Sequence, residues 1–148
     1  MKNYIIRKAK FEDIDNIWNL GKNINEFETS EDIVLFWAKD ILENCIDKKD
    51  VMILVIEIKE KIVGFMIANI NGSLKKAEIE NQYIISEYRH NGYGKALLTQ
   101  MIEDLSNVGV ENICAMSTDA VDFLVRNGFT KGNQFYWMDL ALSERFKK

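Results

Sequence analysis

Glu87-Tyr88-Arg89-His90-Asn91-Gly92-Tyr93-Gly94-Lys95-Ala96-Leu97-Leu98 is the stretch on which the reading of this chain turns. Residues 77–85 before it read as a strand. After it, Leu97, Leu98, Met101, Ile102 and Leu105 recur at helical spacing and predict an amphipathic helix over 95–105. The loop therefore joins a strand end to a helix start. Gly92 and Gly94 let the backbone approach a ligand closely and turn several N–H groups the same way. A helix start contributes about half a positive charge, and Arg89 and Lys95 add full ones. Such a nest suits a pyrophosphate, although two glycines one residue apart also fit a plain tight turn. The loop has no Gly-Lys-Ser or Gly-Lys-Thr ending, so it is not a Walker loop. Leu97 stands where a dinucleotide fingerprint needs its third glycine.

Outward from the loop, the apolar pattern supplies the other elements. A short strand is expected over 4–8, then a helix carrying Phe11, Ile14, Ile17, Trp18 and Leu20, its start favoured by Glu12 and Asp13. Thr29-Ser30-Glu31-Asp32 offers caps for a second helix with Ile33, Phe36, Trp37, Ile41 and Leu42 on its apolar side. The run 51–58 reads as a buried strand, and the polar break Lys59-Glu60-Lys61 makes a hairpin with a strand over 62–70. Asn71-Gly72-Ser73 turns the chain into the strand before the loop. Beyond the amphipathic helix come a strand over 112–116, a helix over 120–126 stopped by Asn127-Gly128, and a last strand over 135–142. The order predicts mixed α/β (α+β) architecture around one central, mostly antiparallel sheet flanked by helices.

The chain has 148 residues, the size of one compact domain, so residues 1–148 are expected to form a single core. With 47% hydrophobic residues it is not intrinsically disordered. No apolar run reaches the ~18 residues of a membrane span, and residues 1–7 lack the long apolar stretch of a secretory signal. A cytoplasmic protein with no membrane association is expected. The net charge of −4 argues against a nucleic-acid partner, which needs a basic face. Lys22 to Asp50 holds four lysines against eight acids, either a solvated face or an acidic lip that attracts a cationic amine. Cys45 and Cys114 are far apart in apolar segments and are expected to be buried, reduced packing residues. His90 is the only histidine, which argues against a histidine-ligated metal centre, and no metal is expected.

The segment 87–98 resembles the coenzyme A signature of the GNAT superfamily of acetyl-CoA-dependent N-acetyltransferases: Gln or Arg, two residues, Gly, one residue, then Gly or Ala. Asn127-Gly128-Phe129 resembles the family's second marker, and Ile6-Arg7-Lys8-Ala9 followed by Glu12-Asp13 resembles its opening. The resemblance implies a GNAT-like fold in which a splayed strand pair holds CoA. The backbone N–H groups of His90, Asn91, Gly92, Tyr93, Gly94 and Lys95, with Arg89 beside them, would then wrap the pyrophosphate. The strand around Tyr83, Ile84 and Ile85 would splay from its neighbour and bond the pantetheine as an added strand. An N–H near Ile84 would polarise the thioester carbonyl.

Acetyl transfer to an amine needs the amine neutral and, at the end, a proton for the thiolate. Glu78 and Glu80 are two residues apart, which would place both carboxylates on one strand face, where mutual repulsion raises one pKa. Glu78, eleven residues before Arg89, resembles the base of relatives acting on lysine, and Glu80 resembles an acidic residue at this strand's centre in small bacterial-type members. Deprotonation through water is the alternative. Two departures stand out. Leu124 occupies the position of the family's usual acid tyrosine, and Ser117 that of an asparagine near the cofactor thiol, where it can still donate a hydrogen bond. Tyr83, Tyr93 and Tyr136 are the replacement candidates. Trp18, Phe27, Phe36 and Trp37 suit the core. In the family, however, this N-terminal region forms the acceptor wall, so the resemblance implies that some of them, beside Glu26 and Glu28, line an amine pocket. The reading is an N-acetyltransferase that moves the acetyl group of acetyl-CoA to a small-molecule or peptide primary amine by direct attack. The competing reading, favoured by Leu124, is a CoA-binding sensor or partner-binding module. The exposed final strand would offer a homodimer its pairing edge.

Overall fold

The computed structural model describes residues 2–24, 27–30, 33–34, 36–117, 120–134, 136, 138 and 140. Its centre is the apolar run β4 (Val51–Ile58), buried at almost every position because both faces of the sheet are covered. A two-residue turn at Lys59-Glu60, both at positive φ (48° and 62°), reverses the chain into β5 (Lys61–Asn71). That left-handed pair matches the twist of a tight hairpin, even without glycine. A 3-10 turn over Gly72–Leu74 leads to β6 (Lys76–Ile84). With β1 (Ile5–Lys8) and β7 (Asn112–Ala115) these strands form a sheet in the order β1-β4-β5-β6-β7. All pairings are antiparallel except β6 with β7.

Helix α3 (Tyr93–Asn107) lies across β4, β5 and β6 and buries Leu97, Leu98, Met101 and Leu105 against one face of the sheet. The opposite face is covered by α1 (Ile14–Gly21), which follows a 3-10 turn at Phe11–Asp13, and by α2 (Lys39–Cys45). Ile14, Ile17, Leu42 and Cys45 are buried there over Phe65 and Ile67. A last helix, α4 (Val121–Arg126), ends at Gly128, whose φ of +96° a glycine takes without strain.

The expected helix through Ile33 and Phe36 is corrected. Glu28–Ser30 (β2) and Ile33–Val34 (β3) pair as a small antiparallel hairpin, and the helix starts only at Lys39. Thr29, Ile33 and Val34 are β-branched, which weakens a helix and suits a strand. Glu31 and Asp32 of the expected caps lie outside the described residues. Phe27 and Phe36 stack at 5.7 Å between ring centres, each edge-on to Phe65, so these aromatics pack from an irregular segment. Cys45 is buried as expected, but Cys114 is only half-covered, because β7 is an edge strand. Both thiols are free. The expected strand over 135–142 falls largely outside the described residues.

Arg7 ties the start of the chain to the sheet. Its guanidinium binds the Asp13 carboxylate at 2.6 Å and Glu57 at 2.9 Å, and Asp13 also accepts the Lys10 N–H at 2.7 Å. The Arg7 bond holds the Asp13 carboxyl below its ordinary range despite opposing burial. Among the described residues no helix is long and apolar enough to cross a membrane.

Candidate functional site

The sheet opens beside β6. Strand β7 pairs with it only from Lys76↔Asn112 to Ile79↔Ala115, while β6 runs on to Ile84. Beyond Ile79 no described strand covers that edge. Backbone groups of successive strand residues point to alternate edges. The Ile85 N–H bonds the Val63 carbonyl at 2.8 Å, so it faces β5, whereas Ile84 and Gln82 turn their backbone groups to the open side. Of the expected pantetheine contacts, Ile84 therefore presents an N–H there, and Ile85 has already committed its own. The Ile84 carbonyl accepts the Arg89 Nε at 2.8 Å, and the same guanidinium lies 5.2 Å from the Tyr83 ring centre.

The loop at the end of that edge is shaped by two left-handed residues, His90 (φ +63°) and Gly92 (φ +81°). Asn91 pins it by donating its side-chain amide to the carbonyls of Tyr88 and Arg89 at 3.2 and 3.0 Å. No side chain caps the start of α3, and the first helical bond runs from the Ala96 N–H to the Gly92 carbonyl. The N–H groups of Tyr93, Gly94 and Lys95 thus leave the helix end without a helical acceptor. A Cβ on Gly92 would meet nothing within 4 Å, so the space above the backbone is open. Gly94 is different, because a Cβ there would touch Gln82 and Phe123 at 3.5 and 3.7 Å. Its carbonyl also accepts the Gln82 amide at 3.3 Å, so this glycine brings α3 close to β6. Tyr93 turns toward β1, edge-on to Tyr4 at 5.6 Å. Beside the loop lies an open depression of about 490 Å³ lined by Lys2, Tyr4, Gly92, Lys95, Thr99 and Gln100.

Simple alternation along β6 does not hold. Ala68 faces Ile79 and Ile67 faces Asn81, which leaves Glu80 as an extra, unpaired residue. The bulge puts Glu78, Asn81 and Tyr83 on the face shared with Asn69, Ile67 and Phe65, the side covered by α1 and α2. Glu80 is exposed and accepts the Asn69 amide at 2.9 Å, the residue directly across from Glu78, so the two carboxylates still neighbour each other. Half-burial raises the Glu78 carboxyl above its ordinary range, the Glu80 charge raises it further, and Lys76 opposes them. Lys75, just before β6, pairs with Glu111 and not with these acids.

One feature of this face escapes a reading of the residues alone. Asn81 is only 8% exposed, and its Oδ1 accepts the Trp37 indole N–H at 2.9 Å. No local signal flags it, because Asn81 stands in the polar run Glu80-Asn81-Gln82 and its burial comes from partners distant in sequence. On the other side of the opening, Ser117 Oγ accepts the Ala120 N–H at 2.7 Å, leaving its own hydrogen to donate. Leu124 is buried, and its carbonyl takes the Phe129 N–H at 3.0 Å.

The sequence model of the acetyltransferase (GNAT) family matches residues 11–129. The chain belongs to this family. No curated protein sequence matches this GNAT chain closely. Among solved structures it is similar to an aminoglycoside acetyltransferase from an uncultured soil metagenomic sample, in complex with sisomicin. The TM-score is 0.75 at 16% identity, covering 94% of this chain and 96% of that one. N-acetylglutamate synthase from Neisseria gonorrhoeae, complexed with coenzyme A and N-acetyl-glutamate, matches at 0.76 and 22% identity. That match covers 90% of this GNAT chain but 30% of the synthase. The ribosomal-protein-S18-alanine N-acetyltransferase of Escherichia coli matches at 0.68 and 16% identity, over 88% of this chain and 79% of that one. At these identities the likeness establishes the fold: a mixed five-stranded sheet flanked by helices and open beside β6.

Proposed function

We propose that the protein is an N-acetyltransferase that moves the acetyl group of acetyl-CoA to a primary amine by direct attack. The observation that carries this reading is the continuity of the open β6 edge with the uncapped start of α3. An unpaired strand edge suits an extended amide-bearing arm, and converging N–H groups at a helix start suit a pyrophosphate. The open space above Gly92 leaves the approach clear, and Arg89 and Lys95 add charge of the right sign. When bound, acetyl-CoA supplies the activated thioester.

The chain's own groups divide the remaining work. The outward N–H of Ile84 is placed to bond an oxygen lying along the open edge. Glu78 accepts the proton that the amine nitrogen loses as the new amide bond forms. Its raised pKa makes it a better base than an ordinary surface carboxylate. Of the three tyrosines that could protonate the thiolate, Tyr93 is turned toward Tyr4 and Tyr136 is 95% exposed. Tyr83, on the Glu78 face, is the candidate that remains. Leu124 has no proton to give, so without Tyr83 the thiolate departs unassisted.

A CoA-binding module with little turnover is the second reading, and the buried Leu124 favours it. Release of free thiol from acetyl-CoA over a panel of primary amines separates the two. Amine-dependent thiol release matched by N-acetyl product supports the enzyme. Tight CoA binding with no turnover on any amine would leave the module.

A further inference from the structure

Asn81 is more than nine-tenths buried, yet only half of its amide is satisfied. The Trp37 indole N–H bonds Oδ1, which fixes the orientation of the group. The Nδ2 donors make no hydrogen bond among the described residues. A buried donor left unpaired is unfavourable, so its position calls for an explanation. The backbone of β6 serves the open edge in the plane of the sheet, whereas the Asn81 side chain leaves that plane on the face of Glu78 and Tyr83. It is therefore set toward the amine rather than along the pantetheine.

We propose, resting on the acetyltransferase reading, that Asn81 determines acceptor specificity by donating Nδ2–H to an uncharged oxygen of the substrate. The acceptor class is a primary amine with a hydroxyl or amide carbonyl oxygen three bonds from the nitrogen. The Glu80 bulge creates this pairing, because it makes Glu78 and Asn81 successive residues on one face, opposite Asn69 and Ile67. Two strand steps separate them by about 7 Å, enough for an amine nitrogen at the carboxylate and an oxygen at the amide. A carboxylate oxygen fits poorly, since Glu78 and Glu80 already place negative charge on that side. Trp37 is a positioning residue in this scheme. It keeps the donors, and not Oδ1, available to substrate.

The test compares the best amine of a broad panel with its analogue in which the nearest oxygen is replaced by CH2. 2-Aminoethanol against propylamine is the simplest such pair. The expected loss in kcat/KM is about 100-fold or more, as for sites built to bond a substrate oxygen. Asn81→Leu removes the donors at similar volume and should shrink that ratio to within about threefold of unity. Asn81→Asp is the second variant, expected to restore part of the ratio at low pH, where its carboxyl carries a proton to donate. CoA affinity is the check that each folds. Trp37→Phe should reduce the ratio while CoA affinity stays near that of the wild type. A merely structural asparagine would change stability or overall rate and leave the ratio alone. A best amine without such an oxygen, equal rates for the pair, or a ratio unchanged in Asn81→Leu would overturn the inference. Failure of the parent reading looks different: CoA binds and no amine in the panel is acetylated.

Discussion

Gly92→Val separates the phosphate-binding role of the loop from its role in folding. Gly92 has a φ of +81°, and a side chain there meets no protein atom within 4 Å. The folding cost is therefore the left-handed strain of a β-branched residue, about 1–2 kcal/mol. For a chain of this size that lowers Tm by roughly 2–8 °C. The effect on CoA is larger, because the valine fills the space over the N–H groups at the start of α3. Loss of two charge-assisted hydrogen bonds at about 1.5–3 kcal/mol each weakens binding by about 3–6 kcal/mol, or roughly 10²- to 10⁴-fold. Gly109→Val is the matched control, with a φ of +93°, equally open space and a place beyond the far end of α3. Calorimetric titration of CoA into the three proteins, with melting curves, reads both quantities. The reasoning fails if Gly92→Val binds CoA within about threefold of the wild type, or if Gly109→Val loses as much.

The carboxylates and the N-terminal ion pairs give two further tests. If Glu78 is the base, kcat/KM falls on the acid side as pH drops through its raised pKa, and Glu78→Gln lowers the rate by about 10²-fold or more. Glu80→Gln removes the repulsion that raises that pKa, so it should move the acid limb to lower pH; if neither change lowers the rate or moves the limb, no strand carboxylate is the base. Asp13 has a depressed folded pKa, so its stabilisation is complete above its unfolded value of 3.8 and is lost as pH falls through the folded one. Asp13→Asn should cost about 2 kcal/mol at neutral pH, between surface and buried ion-pair values. Its melting temperature should also lose part of the wild type's acid dependence, and an unchanged acid profile would show that the Arg7 contact contributes nothing.

Features that depend on neighbours close in sequence were legible. The apolar run at β4, the hairpin after it and the amphipathic pattern of α3 each carry their own signal, and so does the glycine loop between β6 and α3. Features set by a distant partner were not. The Glu80 bulge exists only in the register of β6 against β5, and it breaks the alternation from which the carboxylate face was inferred. Asn81 and Trp37 are 44 residues apart, and nothing local announces their bond. The segment around Ile33 and Phe36 carries apolar residues at helical spacing, yet its backbone forms a hairpin and its aromatics pack on Phe65. Arg7, Asp13 and Glu57 likewise meet only once β1 pairs with β4.

The central claim is that the open β6 edge and the start of α3 form one acyl-CoA site. Amide chemical shifts followed during CoA titration test it most directly. The account predicts that the largest changes fall on Gln82 and Ile84 and on Gly92 through Lys95, and that Gly92→Val abolishes them. Shifts confined to another surface, with those amides unmoved at saturation, would contradict it.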